Sequence, residues 1–232
     1  MEHSYIKYMD SLFLKVTKIN KNQINKIESF INFGIKNKLY TKTKVMYHDL
    51  KHIEKVLIYS AWIINLKGIK LSNKDWNILL YAGLFHDSGR TIGASDRNHG
   101  VVGATVAEKI LNDKLTSQEV NFIKELIKTH AVSDNLIIFN DNVKKEERKK
   151  IQLLSDVLKD ADALDRNRLK IFPFWKCNIK YLRTDEAKKI YYLTDNLYKE
   201  YYKAIKKYKN VNVIWQIVFL YLKKMKVYDR IL

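Results

Sequence analysis

A single proline and seven glycines in 232 residues leave this chain with few interruptions of regular backbone structure. Proline and glycine most often mark the turns that end helices and strands. The segments between them are rich in Leu, Ile, Lys, Glu and Ala, which favour the α-helix. We therefore expect an all-α fold, and the chain is long enough to bury the core of one domain.

The second feature is a formal net charge of +18. Proteins this basic often bind nucleic acid or an anionic membrane. Here the lysines are scattered and accompany many Asn, Ile and Tyr residues, so an AT-rich genome is one explanation of the charge. A second explanation is a positive field that steers a phosphorylated small molecule to a site. The scattered lysines favour the first explanation and leave the second open; we expect no membrane partner, with nucleic acid as a less favoured alternative.

Three features predict a cytoplasmic protein. Cys177 is the only cysteine, so it has no partner for an internal disulfide, which suits a reducing compartment. Residues 1–10 carry acidic side chains and lack the apolar run of a signal peptide. The apolar run at residues 213–222 is shorter than the roughly 20 residues of a membrane-spanning helix, and we interpret it as a buried helix.

Apolar residues recur every three or four positions across residues 48–66, which predicts an amphipathic helix. His48 and His52 are four residues apart and would lie on neighbouring turns of one face of this helix. Ser72, with Asp75 three positions later, predicts the start of a second helix. The run WNILLYAGLF that follows is apolar on nearly all sides, so this second helix should be central and buried.

The buried helix ends in the doublet His86 and Asp87. Gly89 and Gly93 then interrupt the helical pattern, and a new helix is expected at residues 99–111. The doublet should therefore lie at a helix end, beside a polar loop.

Two later helices direct further ionisable groups toward the interior. Thr116 and Glu119 form a capping-box pattern, and His130 continues the apolar stripe of the helix that follows. Asp162 and Asp165 extend the stripe of the next helix. A buried carboxylate is costly unless it is paired or binds a metal. Imidazole nitrogen and carboxylate oxygen together suit Mn, Fe, Co, Ni or Zn, so these residues predict a transition-metal site.

Four segments, in order, resemble the motifs of the HD superfamily of metal-dependent phosphohydrolases across residues 47–166, about half of the chain. YHDLKHIEKV resembles the opening helix of that superfamily, and LLYAGLFHDSGR resembles its defining His-Asp doublet. HGVVGATVAEKIL with IKELIKTH is similar to the segments that carry the extra histidines of two-metal members. LLSDVLKDADALDR resembles the closing helix. Each segment alone is weak evidence, and their joint order and helical placement carry the resemblance.

The resemblance implies an HD-domain helical bundle with a set of metal ligands. The six ligands would be His52, His86, Asp87, His99, His130 and Asp162. His99 and His130 would hold a second ion or, in a one-metal protein, bind the substrate. The one or two ions would be Mn, Fe, Co or Ni, with Mg as a further candidate. Asp160 and Asp165 would hold a histidine or a water beside the ligands.

The resemblance also implies hydrolysis of a phosphate ester or anhydride, in which a metal-activated water attacks phosphorus. Asp87 would take part directly in catalysis. His48 would protonate the leaving oxygen, as the matching histidine does in cyclic-nucleotide phosphodiesterases, or else would make a structural hydrogen bond. Arg90 and Arg97 would bind a phosphate through two guanidinium nitrogens, unless they are simply exposed to solvent.

Departures from known subfamilies narrow the substrate. Ala131 follows His130, and the second histidine, the glutamate and the GYP triplet of the cyclic-di-GMP subfamily are absent from the sequence. SGRT after Asp87 lacks the paired acids of the alarmone hydrolases and the glycine and histidine pattern of the dNTP triphosphohydrolases. A nucleotide or another small phosphoester is the expected substrate. One alternative is a regulatory module that keeps its metal, binds a ligand or nucleic acid, and turns nothing over. Another is a nuclease that acts on polynucleotides.

We expect a single HD-type domain over residues 1–232, with its core at about 45–170 and additional C-terminal helices at about 171–232. Tyr191, Tyr198 and Tyr202 in this extension recur at steps of seven and four residues, which predicts a packing face. The aromatic residues, interleaved with lysines, could instead stack nucleobases. Packing is the favoured interpretation, and it would place the extension over the core.

Overall fold

Helices make up the structure, as predicted. The computed structural model describes residues 11–40, 48–90, 98–134, 145–169 and 176–207, and these residues form α-helices and short 3-10 turns without a strand. The helices are α1 (Ser11–Thr17), α2 (Lys21–Lys36), α3 (Leu50–Lys67), α4 (Asn73–Phe85), α5 (His99–Leu111), α6 (Ser117–His130), α7 (Lys145–Asp165) and α8 (Asp185–Lys207). Two 3-10 turns, Arg166–Arg168 and Ile179–Tyr181, lie between α7 and α8.

Capping side chains mark the helix starts that the sequence predicted. The hydroxyl of Ser72 accepts the backbone N–H of Asp75 at 3.1 Å, at the start of α4. Thr116 and Glu119 form a complete capping box at the start of α6. The caps satisfy backbone N–H groups that have no partner within the helix, so they fix where the helix begins.

The predicted start of the helix at His48 was wrong. Asp49 is the N-cap of α3, and its Oδ1 atom accepts the backbone N–H of His52 at 3.0 Å. The backbone of Asp49 is extended, so the helix begins at the next residue, Leu50. This is two residues after the predicted start. His48 therefore lies just before α3, although its ring centroid is still 5.4 Å from that of His52.

Helix α3 runs through the middle of the core. Every residue from His52 to Ile64 is buried, including the polar residues Glu54, Lys55 and Ser60. The helix contacts α2, α4, α7 and α8. Because such a helix has no solvated face, each ionisable group on it needs a partner inside the protein.

Three glycines let α5 approach both the turn after α4 and helix α6. A Cβ on Gly89 would lie 2.3 Å from a backbone oxygen of α5 and 2.4 Å from the backbone nitrogen of Gly103. A Cβ on Gly103 would lie 2.9 Å from the carbonyl oxygen of Phe85, and one on Gly100 would lie 2.9 Å from that of Ile127. Backbone therefore packs directly on backbone, and the end of α4, the start of α5 and the end of α6 meet.

We expect Gly89→Ala to lower the free energy of unfolding by about 1–3 kcal/mol, because backbone atoms rather than flexible side chains would have to move. Thr105→Ala, on the exposed face of α5, is the matched control and should change stability by less than about 0.5 kcal/mol. Urea denaturation of both variants measures the difference. Equal effects of the two substitutions would contradict the direct backbone contact.

Helix α8 packs against α7 and α3, and its tyrosines contact the core, as their spacing predicted. The side chain of Tyr198 is buried, and its hydroxyl donates a hydrogen bond to Asp165. The hydroxyl of Tyr202 donates to the backbone carbonyl of Arg168. Both contacts fasten α8 to the end of α7 and to the 3-10 turn that follows it.

Several predictions fall outside the described residues. They are the helix at residues 213–222, the loop residue Gly93 and the arginine Arg97. Within the part of the chain that the structure describes, no helix combines the length and the apolar character needed to cross a membrane.

Candidate metal centre

Four side chains from three parts of the chain converge on one point. His52 comes from α3, His86 and Asp87 follow α4, and Asp162 comes from the last turn of α7. The Nε2 atoms of the two histidines are 3.3 Å apart. The Oδ2 atom of Asp87 lies 3.4 and 3.3 Å from these two nitrogens, and the Oδ1 atom of Asp162 lies 3.3 and 3.9 Å from them. Each residue thus offers one ligand atom to a common centre.

The hydrogen bonds of the two imidazole rings direct their Nε2 atoms to this centre. The Nδ1 atom of His52 lies 2.7 Å from Oδ2 of Asp165, and the Nδ1 atom of His86 lies 2.8 Å from the carbonyl oxygen of Gly83. Both partners are acceptors, so each Nδ1 carries the proton. In the neutral ring, Nε2 then presents its lone pair, which is the form that binds a metal.

A second group shares Asp87 with the first. The Nε2 atoms of His99 and His130 are 3.0 Å apart, and they lie 3.5 and 3.8 Å from the Oδ1 atom of Asp87. The Nδ1 atom of His130 donates to the backbone carbonyl of Ile127, so its Nε2 also presents a lone pair. One carboxylate oxygen of Asp87 therefore faces each group of histidines.

The spacing of the donor atoms fits divalent metal ions. Metal–nitrogen and metal–oxygen bonds of about 2.1 Å separate neighbouring ligands by roughly 3.0 Å in an octahedral site and 3.4 Å in a tetrahedral one. The distances above mostly lie in or near this range, and the donor atoms of each group all lie within 4.8 Å of one another. The chain thus carries a His/Asp cluster that can hold a metal ion.

The charges inside the cluster favour a cation. Burial raises the pKa of Asp87 and of Asp162, but the adjacent histidines outweigh it and bring both values well below the ordinary range. Burial and Arg168 oppose a charge on His52, yet its hydrogen bonds to Asp162 and to two further carboxylates raise its pKa to about 10. Without a metal, a proton is held where the carboxylates and the imidazole nitrogens meet.

One side of the cluster is open to solvent. The side chains of His52, His86 and Asp87 are at most 1% exposed, whereas that of Asp162 is 23% exposed. The side chain of His48 is 21% exposed. A small molecule could therefore reach the cluster past these two residues, while the other ligands stay shielded from water.

Two residues expected to act on the substrate contact Asp87. The Nδ1 atom of His48 lies 2.6 Å from Oδ2 of Asp87. Burial lowers the pKa of His48, against the opposing effect of that carboxylate. The Nε atom of Arg90 donates to Oδ1 of Asp87 at 2.5 Å. Arg97, the other expected phosphate ligand, lies outside the described residues.

A buried network behind His52 was only partly predicted. Asp165 holds the Nδ1 atom of His52, as expected for a group beside the ligands. Its other partners were missed: the guanidinium of Arg168 at 2.5 Å, the ammonium of Lys55 at 3.8 Å and the hydroxyl of Tyr198. The sequence does place Lys55 within an apolar helix and Tyr198 on an apolar stripe, but neither pattern predicts a contact with Asp165.

Asp160 has a different role from the expected one. Its two oxygens accept the backbone N–H groups of Arg183 and Thr184 at 2.7–3.0 Å and the hydroxyl of Thr184 at 2.8 Å. Asp160 is fully buried, and its hydrogen-bond partners among the described residues are Arg183 and Thr184, with no histidine among them. It anchors the segment that leads into α8 instead of supporting the metal ligands.

The family comparison agrees with this geometry. A model of the HD-CE family matches residues 38–218, about four fifths of the chain, and this segment includes every residue of the two ligand groups. A comparison with curated proteins found no match, and a comparison with solved structures found none. Since the family model covers well over half of the sequence, the chain belongs to the HD-CE family of HD-type domains.

Proposed function

We propose that this protein is a metal-dependent phosphohydrolase that cleaves a phosphate ester or anhydride of a nucleotide or a similar small molecule. The observation that carries the proposal is the position of Asp87, whose two oxygens face two separate groups of histidines. A shared carboxylate is typical of centres in which two ions act on one phosphate group. The two ions would be Mn, Fe, Co or Ni, with Mg as a further candidate.

The ligands divide between two ions. His52, His86 and Asp162 would hold the first ion, His99 and His130 the second, and Asp87 would bridge them. When bound, such ions supply Lewis acidity, lowering the pKa of a coordinated water and neutralising phosphoryl oxygens. The first ion has two carboxylate ligands and the second has one, so we expect the first to bind more tightly.

The residues around the ligands would orient the substrate. The net charge of +18 favours the approach of an anion, and the partly exposed side of the cluster admits one. Arg90 holds Oδ1 of Asp87 through its Nε atom, so its first role is to fix the bridging carboxylate. Any contact of Arg90 with phosphate would come from the remaining nitrogens of its guanidinium.

His48 would supply the proton for the leaving group. Its Nδ1 atom binds Asp87, and its Nε2 atom has no hydrogen-bond partner among the described residues. In its doubly protonated form, a ring held by a carboxylate at one nitrogen can donate a proton from the other and is left neutral. The proton would pass from Nε2 to the departing oxygen as the bond from phosphorus to that oxygen breaks.

The proposal is tested by phosphate or nucleoside release across nucleotides, cyclic nucleotides and simple phosphoesters, with the protein loaded in turn with Mn, Fe, Co, Ni or Mg. We expect turnover that requires the metal and that chelation abolishes. Metal binding without turnover of any substrate would overturn the proposal. It would favour instead a regulatory module, whose affinity for nucleic acid should fall steeply with salt.

His48→Gln should lower kcat by about 10²- to 10⁴-fold for substrates with an alkoxide leaving group. The same variant should lose far less activity on p-nitrophenyl esters, whose leaving group needs no proton. The amount of bound metal should not change. Equal losses on both kinds of substrate would contradict the role of His48 as a proton donor and would favour a purely structural contact with Asp87.

A further inference from the structure

Behind the proposed metal ligands lies a buried network centred on Asp165. Its Oδ2 atom lies 2.7 Å from Nδ1 of His52 and 2.5 Å from Nη1 of Arg168. Its Oδ1 atom accepts the hydroxyl of Tyr198 and lies 3.8 Å from the ammonium of Lys55. The side chain of Asp165 is 0% exposed, so water does not compete for either oxygen. Each oxygen of Asp165 therefore has two side-chain partners.

Tyr198 brings a distant part of the chain to this network. It lies on α8, 33 residues after Asp165, whereas the other members come from α3, from the end of α7 and from the 3-10 turn that follows α7. Its ring also covers the ammonium of Lys55, with 5.4 Å between the nitrogen and the ring centroid. Tyr198 thus contacts both the carboxylate and one of the cations that hold it.

The two histidines of the first ligand group are fixed in different ways. The Nδ1 atom of His86 donates to the backbone carbonyl of Gly83 within its own helix turn. The Nδ1 atom of His52 instead donates to a side chain, which can rotate unless its second oxygen is also held. The hydroxyl of Tyr198 holds that second oxygen. Together with Arg168 and Lys55, α8 therefore helps to orient His52 through Asp165.

We propose that Tyr198 is a positioning residue of the metal centre, acting through Asp165 to hold the Nε2 atom of His52 toward the ion. The inference rests on the proposed metal centre and adds a residue that the ligand motifs do not contain. Outer-shell partners of metal-bound histidines typically change metal affinity by 10- to 100-fold. Tyr198 contacts Asp165 and not His52 itself, so it is one residue further from the ion. We therefore expect a change in metal affinity at the lower end of this range.

The test is the Mn²⁺ affinity of metal-free protein, measured from the electron paramagnetic resonance signal of free Mn²⁺. Tyr198→Phe keeps the ring over Lys55 and removes only the hydroxyl. It should weaken one Mn²⁺ site by about tenfold, and His52→Ala should abolish that same site. Tyr191→Phe is the matched control, since Tyr191 also lies on α8 and its hydroxyl donates to the backbone carbonyl of Cys177, away from Asp165. It should change the affinity by less than about twofold.

Thermal unfolding of the metal-free variants separates positioning from stability. If Tyr198 only stabilises the fold, Tyr198→Phe lowers the unfolding midpoint and leaves the Mn²⁺ affinity equal to that of Tyr191→Phe, which overturns the inference. If Tyr198→Phe binds Mn²⁺ with normal affinity while His52→Ala loses the site, the inference about Tyr198 is wrong and the proposed metal centre stands. Unchanged Mn²⁺ binding in His52→Ala overturns the proposed centre as well.

Discussion

Asp87→Asn should abolish binding of both proposed metal ions and lower the proposed phosphoester turnover by roughly a thousandfold or more, which corresponds to about 4 kcal/mol of lost transition-state stabilisation. The substitution keeps the shape of the side chain but removes the charge that both ligand groups share. An amide oxygen is a weaker ligand than a carboxylate, and the amide nitrogen cannot bind the second ion. The helices should persist, since the variant leaves the packing of α4 unchanged.

Asp113→Asn is the matched control for this experiment, because Asp113 is an exposed carboxylate beyond the end of α5. It should retain full activity and both ions. His99→Ala refines the comparison, since His99 belongs only to the second group, and its loss should remove one ion and leave the other. Retained turnover in Asp87→Asn would contradict the assigned role of the shared carboxylate.

Asp165→Ala should destabilise the metal-free protein by about 3–5 kcal/mol, the usual cost of removing one partner from a buried ion pair. The guanidinium of Arg168 and the ammonium of Lys55 would then remain buried without the carboxylate that balances them. Burial raises the pKa of Asp165, but Arg168, Lys55 and His52 outweigh it and lower that pKa far below the ordinary range. The carboxylate is therefore charged and stabilising at neutral pH.

Urea denaturation at pH 7 measures this effect, with Asp156→Ala as the control on the same helix. Asp156 is half-buried and hydrogen-bonded to Gln152, and burial raises its pKa, so removing the carboxylate should cost less than about 1 kcal/mol. A loss of stability in Asp165→Ala no larger than that of the control would show that the network does not depend on this carboxylate.

Several residues of the cluster could be placed from the sequence because each of them has a marked position in a local pattern. His86 and Asp87 follow a run of apolar residues, and His130 and Asp162 continue apolar stripes. An ionisable group at such a position must face the interior, where it needs a partner. Local periodicity therefore indicated which ionisable groups face the interior, and the resemblance to the HD superfamily implied which of them would be ligands.

The features of the fold and of the site that could not be predicted depend mainly on contacts between residues far apart in the chain. Tyr198 looks like an ordinary packing residue in the sequence, and only the fold brings its hydroxyl to Asp165. Gly89 was interpreted as a helix breaker, whereas its lack of a Cβ also lets α5 lie against the turn that follows α4. The start of α3 was missed by two residues because Asp49 caps the helix. Periodicity does not reveal such caps and close approaches.

The central claim is that the two ligand groups form one two-ion centre around Asp87. Equilibrium dialysis of the metal-free protein against Mn²⁺, followed by metal analysis, tests this claim most directly. We expect two ions per chain in the unmodified protein and none in Asp87→Asn. A stoichiometry of one ion or fewer per chain in the unmodified protein, or equal stoichiometries in the two proteins, would contradict it.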